Sequence, residues 1–305
     1  MALRSFWALL GILVLSATVH AQESSTTTAV GTSTLQTSPD LGPTSPWGVS
    51  FFSIGSLSQK QVETGGSSYG LNGYIALNYK LSKTKRVSVR PVFNVNSEGL
   101  DKRGSRIESG SSLGDAHLVY SDYELATIGA AGVSSSFKLY LPTSEFSQQI
   151  HTIAKFRPET FISYDIGSFS SITWVIKPDF FIQSQTSFED RKARPRKDGT
   201  YPRKTTQLAA LEHYLELDGN INKYVSIKPS AGFKEDWYNS GGAAFLPATH
   251  NTNAKLALGL DIRPVRGLSF TLIAENLVRV SNRKDAVKFF RPEDNSLVLM
   301  TNASL

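Results

Sequence analysis

The side chains able to do covalent chemistry are few. The 305-residue chain has no cysteine and five histidines, which removes thiolate nucleophiles, zinc-thiolate centres, iron-sulfur clusters and disulfides together. His20 falls in an N-terminal segment that reads as a leader. Of the other four, His151 and His250 lie in connecting segments near Ser147, Thr152 and Asn251. Only there could a serine-histidine or water-activating site be assembled, and no nucleophile motif surrounds them. His117 and His213 read as packing or interfacial residues. Acidic residues offer no calcium loop and no metal-ligand cluster. The expectation is a protein that is not an enzyme and uses neither metal nor cofactor.

Charge is what the chain holds in quantity: 32 Lys and Arg against 26 Asp and Glu, net +6. The densest run comprises Arg191, Lys192, Arg194, Arg196, Lys197, Arg203 and Lys204, diluted by Glu189, Asp190 and Asp198. Such a cluster suits the phosphates of lipopolysaccharide or another acidic surface, and equally a solvated loop without a specific partner. Nucleic acid is not an expected partner of an exported chain.

The remaining charges occupy one phase of a regular alternation, and that alternation is the positioning device. From Trp47 onward, segments of nine or more residues alternate apolar and polar positions, broken by Gly, Ser, Lys and Asp. The clearest is Tyr69 to Lys80, where Leu71, Ile75 and Leu77 face one way and Asn72, Asn78 and Lys80 the other, with tyrosine at both ends of the apolar stripe. Arg86 to Asn96, Val133 to Leu141, Ile153 to Asp165, Phe169 to Gln185, Gln207 to Leu217, Ile221 to Lys234, Asn253 to Pro264 and Leu268 to Val280 repeat it. Gly48 to Leu57, Leu113 to Glu124 and Asn295 to Leu305 complete the set. The fold class is therefore all-β: a transmembrane antiparallel up-and-down β-barrel of about 12 strands. Long and short connections alternate along the chain, as a barrel with long outside loops and short periplasmic turns requires. Mean hydropathy is -0.18 and no apolar run reaches eighteen residues, which excludes a helical membrane protein but not a barrel. Pro91, Pro158, Pro178, Pro229 and Pro264 fall on the apolar phase, each removing a ladder donor.

On this phase the lumen is lined by Arg86, Arg90, Lys155, Arg157, Glu159, Lys177, Asp179, Glu212, Glu216, Lys228 and Asp261. Asp115 is assigned inward with them. Basic and acidic residues nearly balance there, which favours a network of ion pairs over a filter of one sign. Lys155 and Arg157 on one strand against Glu212 and Glu216 on another give the sharpest contrast. It reads either as a transverse field across a narrow channel or as a salt-bridged plug.

The ends divide the chain into three parts. Residues 1–21 read as a signal peptide: Arg4, an apolar run from Phe6 to Leu15, and a small-residue cleavage site at Ala21. Residues 22–46 read as a disordered Ser/Thr/Pro-rich linker, and residues 47–305 as the barrel. The expected location is the outer membrane, with its lipid and lipopolysaccharide as partners. A second copy of the chain is a candidate partner, through small outward residues such as Gly73, Ala231, Ala254 and Ala274. The expected function is passive or facilitated diffusion of small solutes; the alternative is a structural, oligomeric barrel with a charge-plugged lumen and a basic surface loop.

Two short motifs carry a family resemblance. Leu113-Gly114-Asp115, followed by Leu118, Tyr120 and Tyr123, resembles the Gly-Asp entry to an early strand in the Gram-negative outer-membrane transporter-like family associated with phenol-degradation clusters. Lys138-Leu139-Tyr140-Leu141-Pro142-Thr143 resembles that family's ending of the next strand, with Ser144 where glycine is usual. The resemblance covers residues 110–180 and implies a channel for small solutes, hydrophobic ones included. Such barrels end in an aromatic residue read by the barrel assembly machinery, whereas this chain ends Asn302-Ala303-Ser304-Leu305.

Overall fold

A computed structural model describes residues 45–63, 69–100, 106–167, 169–190, 198–240, 249–281 and 287–304. The leader, most of the linker and Arg191, Lys192, Arg194, Arg196 and Lys197 of the basic run lie outside the described residues.

Twelve antiparallel strands close into one barrel: β1 (Trp47–Ser58), β2 (Gly70–Lys80), β3 (Lys85–Arg90 continuing past Pro91 as Val92–Asn96), β4 (His117–Ile128), β5 (Ala131–Tyr140), β6 (Thr152–Ile166), β7 (Ser170–Gln183), β8 (Gln207–Asn222), β9 (Val225–Tyr238), β10 (Thr249–Val265), β11 (Leu268–Arg279) and β12 (Asn295–Ser304). Each pairs with its sequence neighbours. The ring closes where β1 pairs with β12, from Ser50 opposite Ser304 to Ser58 opposite Ser296. Closure leaves no edge, which a bilayer without water to satisfy backbone groups demands.

The alternation predicted the wall. In β2, Ile75 and Leu77 point outward, 52% and 48% exposed, while the intervening Ala76 and the next residue Asn78 point inward, 0% and 6%. Trp174, Leu215, Phe233, Leu258 and Leu299 repeat the outward stripe around the ring. Aromatics mark both rims. Trp47 packs edge-on against Tyr79 at 4.7 Å beside the short turns, and Trp237 stacks on His250 at 4.9 Å on the long-loop side. Positive φ at Gly129, Gly167 and Gly267 fits three of the short turns, where a Cβ would be strained.

Several boundaries move. The turn expected around Asp218-Gly219-Asn220 lies at Lys223-Tyr224, and Gly219 stays in the strand opposite Ile227. The cause is Asn222, whose Oδ1 accepts from the backbone N–H of Tyr224 and of Val225 at 2.8 and 3.0 Å and so closes the hairpin four residues later. The segment expected from Leu113 to Glu124 divides. Gly110–Leu113 pairs with the second half of β3, and β4 begins at His117.

The prolines find separate accommodations. Pro91 divides β3, and Pro264 sits in a bulge where the register with β11 shifts between Ile262 and Val265. Phe156 opposite Phe180 and Thr160 opposite Ile176 put Pro158 directly across from Pro178. Two missing donors thus share a single lapse in the β6–β7 ladder instead of making two.

Candidate functional site

The lumen holds the chemistry, and each strand delivers its inward residues at a fixed period of two. Nearest the short turns, Lys228 on β9 lies 3.0 Å from Asp218 and 3.8 Å from Asp261, and Asp261 also binds the Arg263 guanidinium and accepts from Thr271 Oγ1 at 2.9 Å. Glu216 is buried on the next inward position of β8 after Asp218.

Above this layer comes a septum that the sequence reading missed. Phe161, Val175, Tyr214, Ile273, Val298 and Met300 form one buried cluster, with Phe52, Ile54 and Ala257 packed against it. These residues come from β1, β6, β7, β8, β10, β11 and β12. They follow the ring from β6 round to β1, and because β6 and β12 stand opposite one another in a ring of twelve, the one cluster has members on both sides of the lumen. The available signal was an apolar residue on the polar phase at matched ladder positions, such as Val175 opposite Tyr214 and Ile273 opposite Val298.

Tyr214 joins septum and charge. Its hydroxyl accepts from Lys177 Nζ at 3.0 Å, and the Lys177 and Lys255 ammonium groups sit 5.2 and 4.8 Å from its ring centroid. Lys255 also pairs with Glu212 and, at 3.6 Å, with Glu275. Gly232 stands opposite Tyr214 on β9, and a Cβ there would meet the His213 carbonyl at 2.1 Å and Tyr214 Cβ at 2.4 Å. Only glycine lets the two strands approach as they do.

Toward the long loops, Arg157 grips Asp179 through two bonds of 2.7 and 2.6 Å, with Lys155 3.4 Å from the same carboxylate. Lys138 and Ser136 hold Glu159 at 2.7 and 3.0 Å. Lys155 and Arg157 therefore pair with a residue of the adjacent strand, and Glu212 with Lys255, so the four residues set against one another by sequence do not meet. The reason is register: Asp179 on β7 is the cross-strand neighbour of β6, whereas Glu212 lies one strand further on, opposite Lys177.

The β2–β5 wall differs in kind. Arg86 lies over Tyr123 at 5.3 Å and Arg90 over Tyr74 at 4.8 Å; Tyr74 meets His117 edge-on at 5.6 Å, and His117 meets Tyr140 at 4.7 Å. Asp115 is bound to a loop. Its carboxylate accepts from Ser144 N at 2.9 Å and pairs closely with the Ser147 hydroxyl, holding helix α1 (Glu145–Gln149) at the long-loop rim. Thr143 Oγ1 clamps the same joint by donating to the Gly114 carbonyl and accepting from Ala116 N, both at 2.8 Å. The two sequence motifs thus meet in space. Ser147 is held by Asp115 and not by His151, and the described residues contain no cluster of metal-ligating side chains.

Of the basic run, Arg203 donates to Ser187 Oγ at 2.8 Å and Lys204 pairs with Asp190 at 2.6 Å, in a small ribbon above the rim. Gly73 is covered on the outward face by Phe93, which stacks on Phe51 at 6.2 Å, so it offers no bare patch to a neighbour.

No family model matches the chain, and no curated protein matches it. Among solved structures it is similar to an outer-membrane channel from Pseudomonas putida F1, at 12% identity over 85% of this chain and 94% of that one, with a TM-score of 0.51. It also aligns with the NanC porin, at 10% identity over 84% and 100% of the two chains and a TM-score of 0.44. With LpxR from Salmonella typhimurium the figures are 7%, 84%, 99% and 0.39. The first likeness shows the fold: a barrel of the outer-membrane type.

Proposed function

We propose that the chain is an outer-membrane channel for small solutes, closed at rest by its own lumen side chains. One observation carries the reading: the closure above and below the septum is built from ionisable groups, with Lys228, Asp261, Lys255, Glu212 and Glu275 all buried. Desolvating charges costs several kcal/mol per ion, so a barrel filled only for stability is more cheaply filled with apolar residues. Ionisable residues at membrane depth mark pathways instead. Passage follows when these pairs exchange partners and the septum yields. The family resemblance adds small hydrophobic compounds to the solute range. On this reading the leader exports the chain, the assembly machinery inserts it, and the loop from Arg191 to Lys204 faces lipopolysaccharide.

Planar-bilayer recording of the purified barrel tests it. Wild type should conduct rarely, and the Phe161→Ala, Met300→Ala double variant should give steady openings, because it removes opposite halves of the septum. Silence from a well-folded double variant would retire the channel. The structural, oligomeric barrel would then replace it, a reading that the buried cluster favours.

A further inference from the structure

Four cations crowd the lumen beneath the long loops, and the carboxylates among the described residues do not neutralise them. Arg90 comes from β3, Lys138 from β5, and Lys155 and Arg157 from β6. Lys138 stands directly across the ladder from Arg157, an arrangement that like charges make unfavourable unless something lies between them. Arg90 and Arg157 are both within electrostatic reach of Lys138. Two carboxylates answer them. Glu159 takes Lys138, and Asp179 takes Arg157 and Lys155. Arg90 has a ring face, that of Tyr74, and its buried Nε has no hydrogen-bond partner among the described residues. A stacked guanidinium still directs its in-plane donors elsewhere, so the ring leaves Arg90 with donors to give.

Exposure fixes the sign that this cluster presents. Lys138, Arg157 and Lys155 keep 19%, 18% and 15% of their side-chain surface, while the carboxylates that pair with them keep 6% and 10%. The acids are more deeply buried than the cations that hold them, so the accessible charge of the cluster is positive. Just below lie apolar surfaces. Phe52 stacks on Tyr74 at 5.1 Å and packs on the septum, and Phe161 follows Glu159 on the inward face of β6.

We propose that Arg90, Lys138 and Arg157 form a binding subsite for an amphipathic organic anion, its carboxylate on the cations and its apolar body against the half-buried ring of Phe52. The inference deepens the channel reading by naming the solute class and rests on that reading for its role in passage, but binding can be measured without conduction. A carboxylate meets Arg90 through two parallel donors, the pairing for which the guanidinium fork is shaped. The apolar body separates this class from inorganic anions, which have nothing to place on the septum.

Calorimetric titration of the detergent-solubilised full barrel with benzoate is the test, with benzamide and acetate as the neutral and bodiless comparisons at matched ionic strength. Benzoate should bind; benzamide and acetate should bind at least about tenfold more weakly, since each lacks one half of the recognition. Arg90→Gln should also weaken benzoate about tenfold or more. Among the described residues Arg90 has no carboxylate partner to orphan, so this variant should retain the heat-modifiable gel mobility of the folded barrel. Equal binding of benzoate and benzamide by wild type would overturn the subsite whatever the variant does, as would undiminished benzoate binding by folded Arg90→Gln. A barrel that binds benzoate yet never conducts retires the channel and keeps the subsite; one that conducts and ignores benzoate does the reverse.

Discussion

Lys255 holds two buried carboxylates. It serves Glu212 and Glu275 at once and lies over the ring of Tyr214, with 2% of its side chain exposed. Lys255→Met should lower unfolding stability by about 3 to 5 kcal/mol, because it leaves two carboxylates buried without their cation. Adding Glu212→Gln and Glu275→Gln should restore most of that loss; thermal unfolding of the three proteins reads the cycle, and no recovery in the triple variant would mean that Lys255 acts through packing alone. The wall gives a second prediction at this scale. Leu77→Arg should block assembly, since an arginine facing lipid at mid-bilayer costs roughly 2 to 4 kcal/mol. The inward comparison must be chosen from the structure. Asn78 is fully engaged, donating to Ser50 Oγ at 3.0 Å and accepting from Ser88 at 2.6 Å, so arginine has no room there. Asn72, inward and exposed, should accept arginine at the cost of one bond, its donation to Asn94 Oδ1 at 2.6 Å, and heat-modifiable mobility of the pair reports whether the two sides are assigned correctly.

Among the elements, α1 owes its position to one carboxylate. Asp115 reaches across some thirty residues of sequence to hold Ser147 and the N-cap residue Ser144, joining the start of β4 to the loop after β5. Asp115→Ala should cost about 1 to 3 kcal/mol and raise hydrogen exchange in residues 144–150 while leaving the β6 and β7 amides protected. Uniformly faster exchange through the barrel would show that the joint supports the wall itself. The sequence showed both motifs but not their contact, because an Asp-Ser hydrogen bond across a loop leaves no periodic trace. The opposed prolines of β6 and β7 are similar: each is visible as a lost donor, and only the register shows that the losses coincide.

The molecule as a whole has two unlike ends, and its sidedness can be checked on intact cells. Added protease should cut within residues 198–204, where Lys204 is exposed above the rim, and should spare the tight turn at Lys223-Tyr224. Cleavage at that turn in unbroken cells would invert the barrel. The buried cluster also has a consequence at this scale: its members come from seven strands, so on the proposed reading opening at mid-height disturbs packing on all of them.

Strand identity, number and sidedness were legible in the sequence because a period of two against a lipid face is a local property: each residue declares its side by its own type, as Ile75, Leu77 and Asn78 do. The charges were assigned inward on the same pattern. Their partners were not legible. Whether Arg157 meets Asp179 or Glu212 depends on register between strands, and whether Phe161, Tyr214 and Met300 join one buried cluster depends on how the ring closes. Both are relations between strands, which no one-dimensional pattern encodes, so they were left to the tertiary structure.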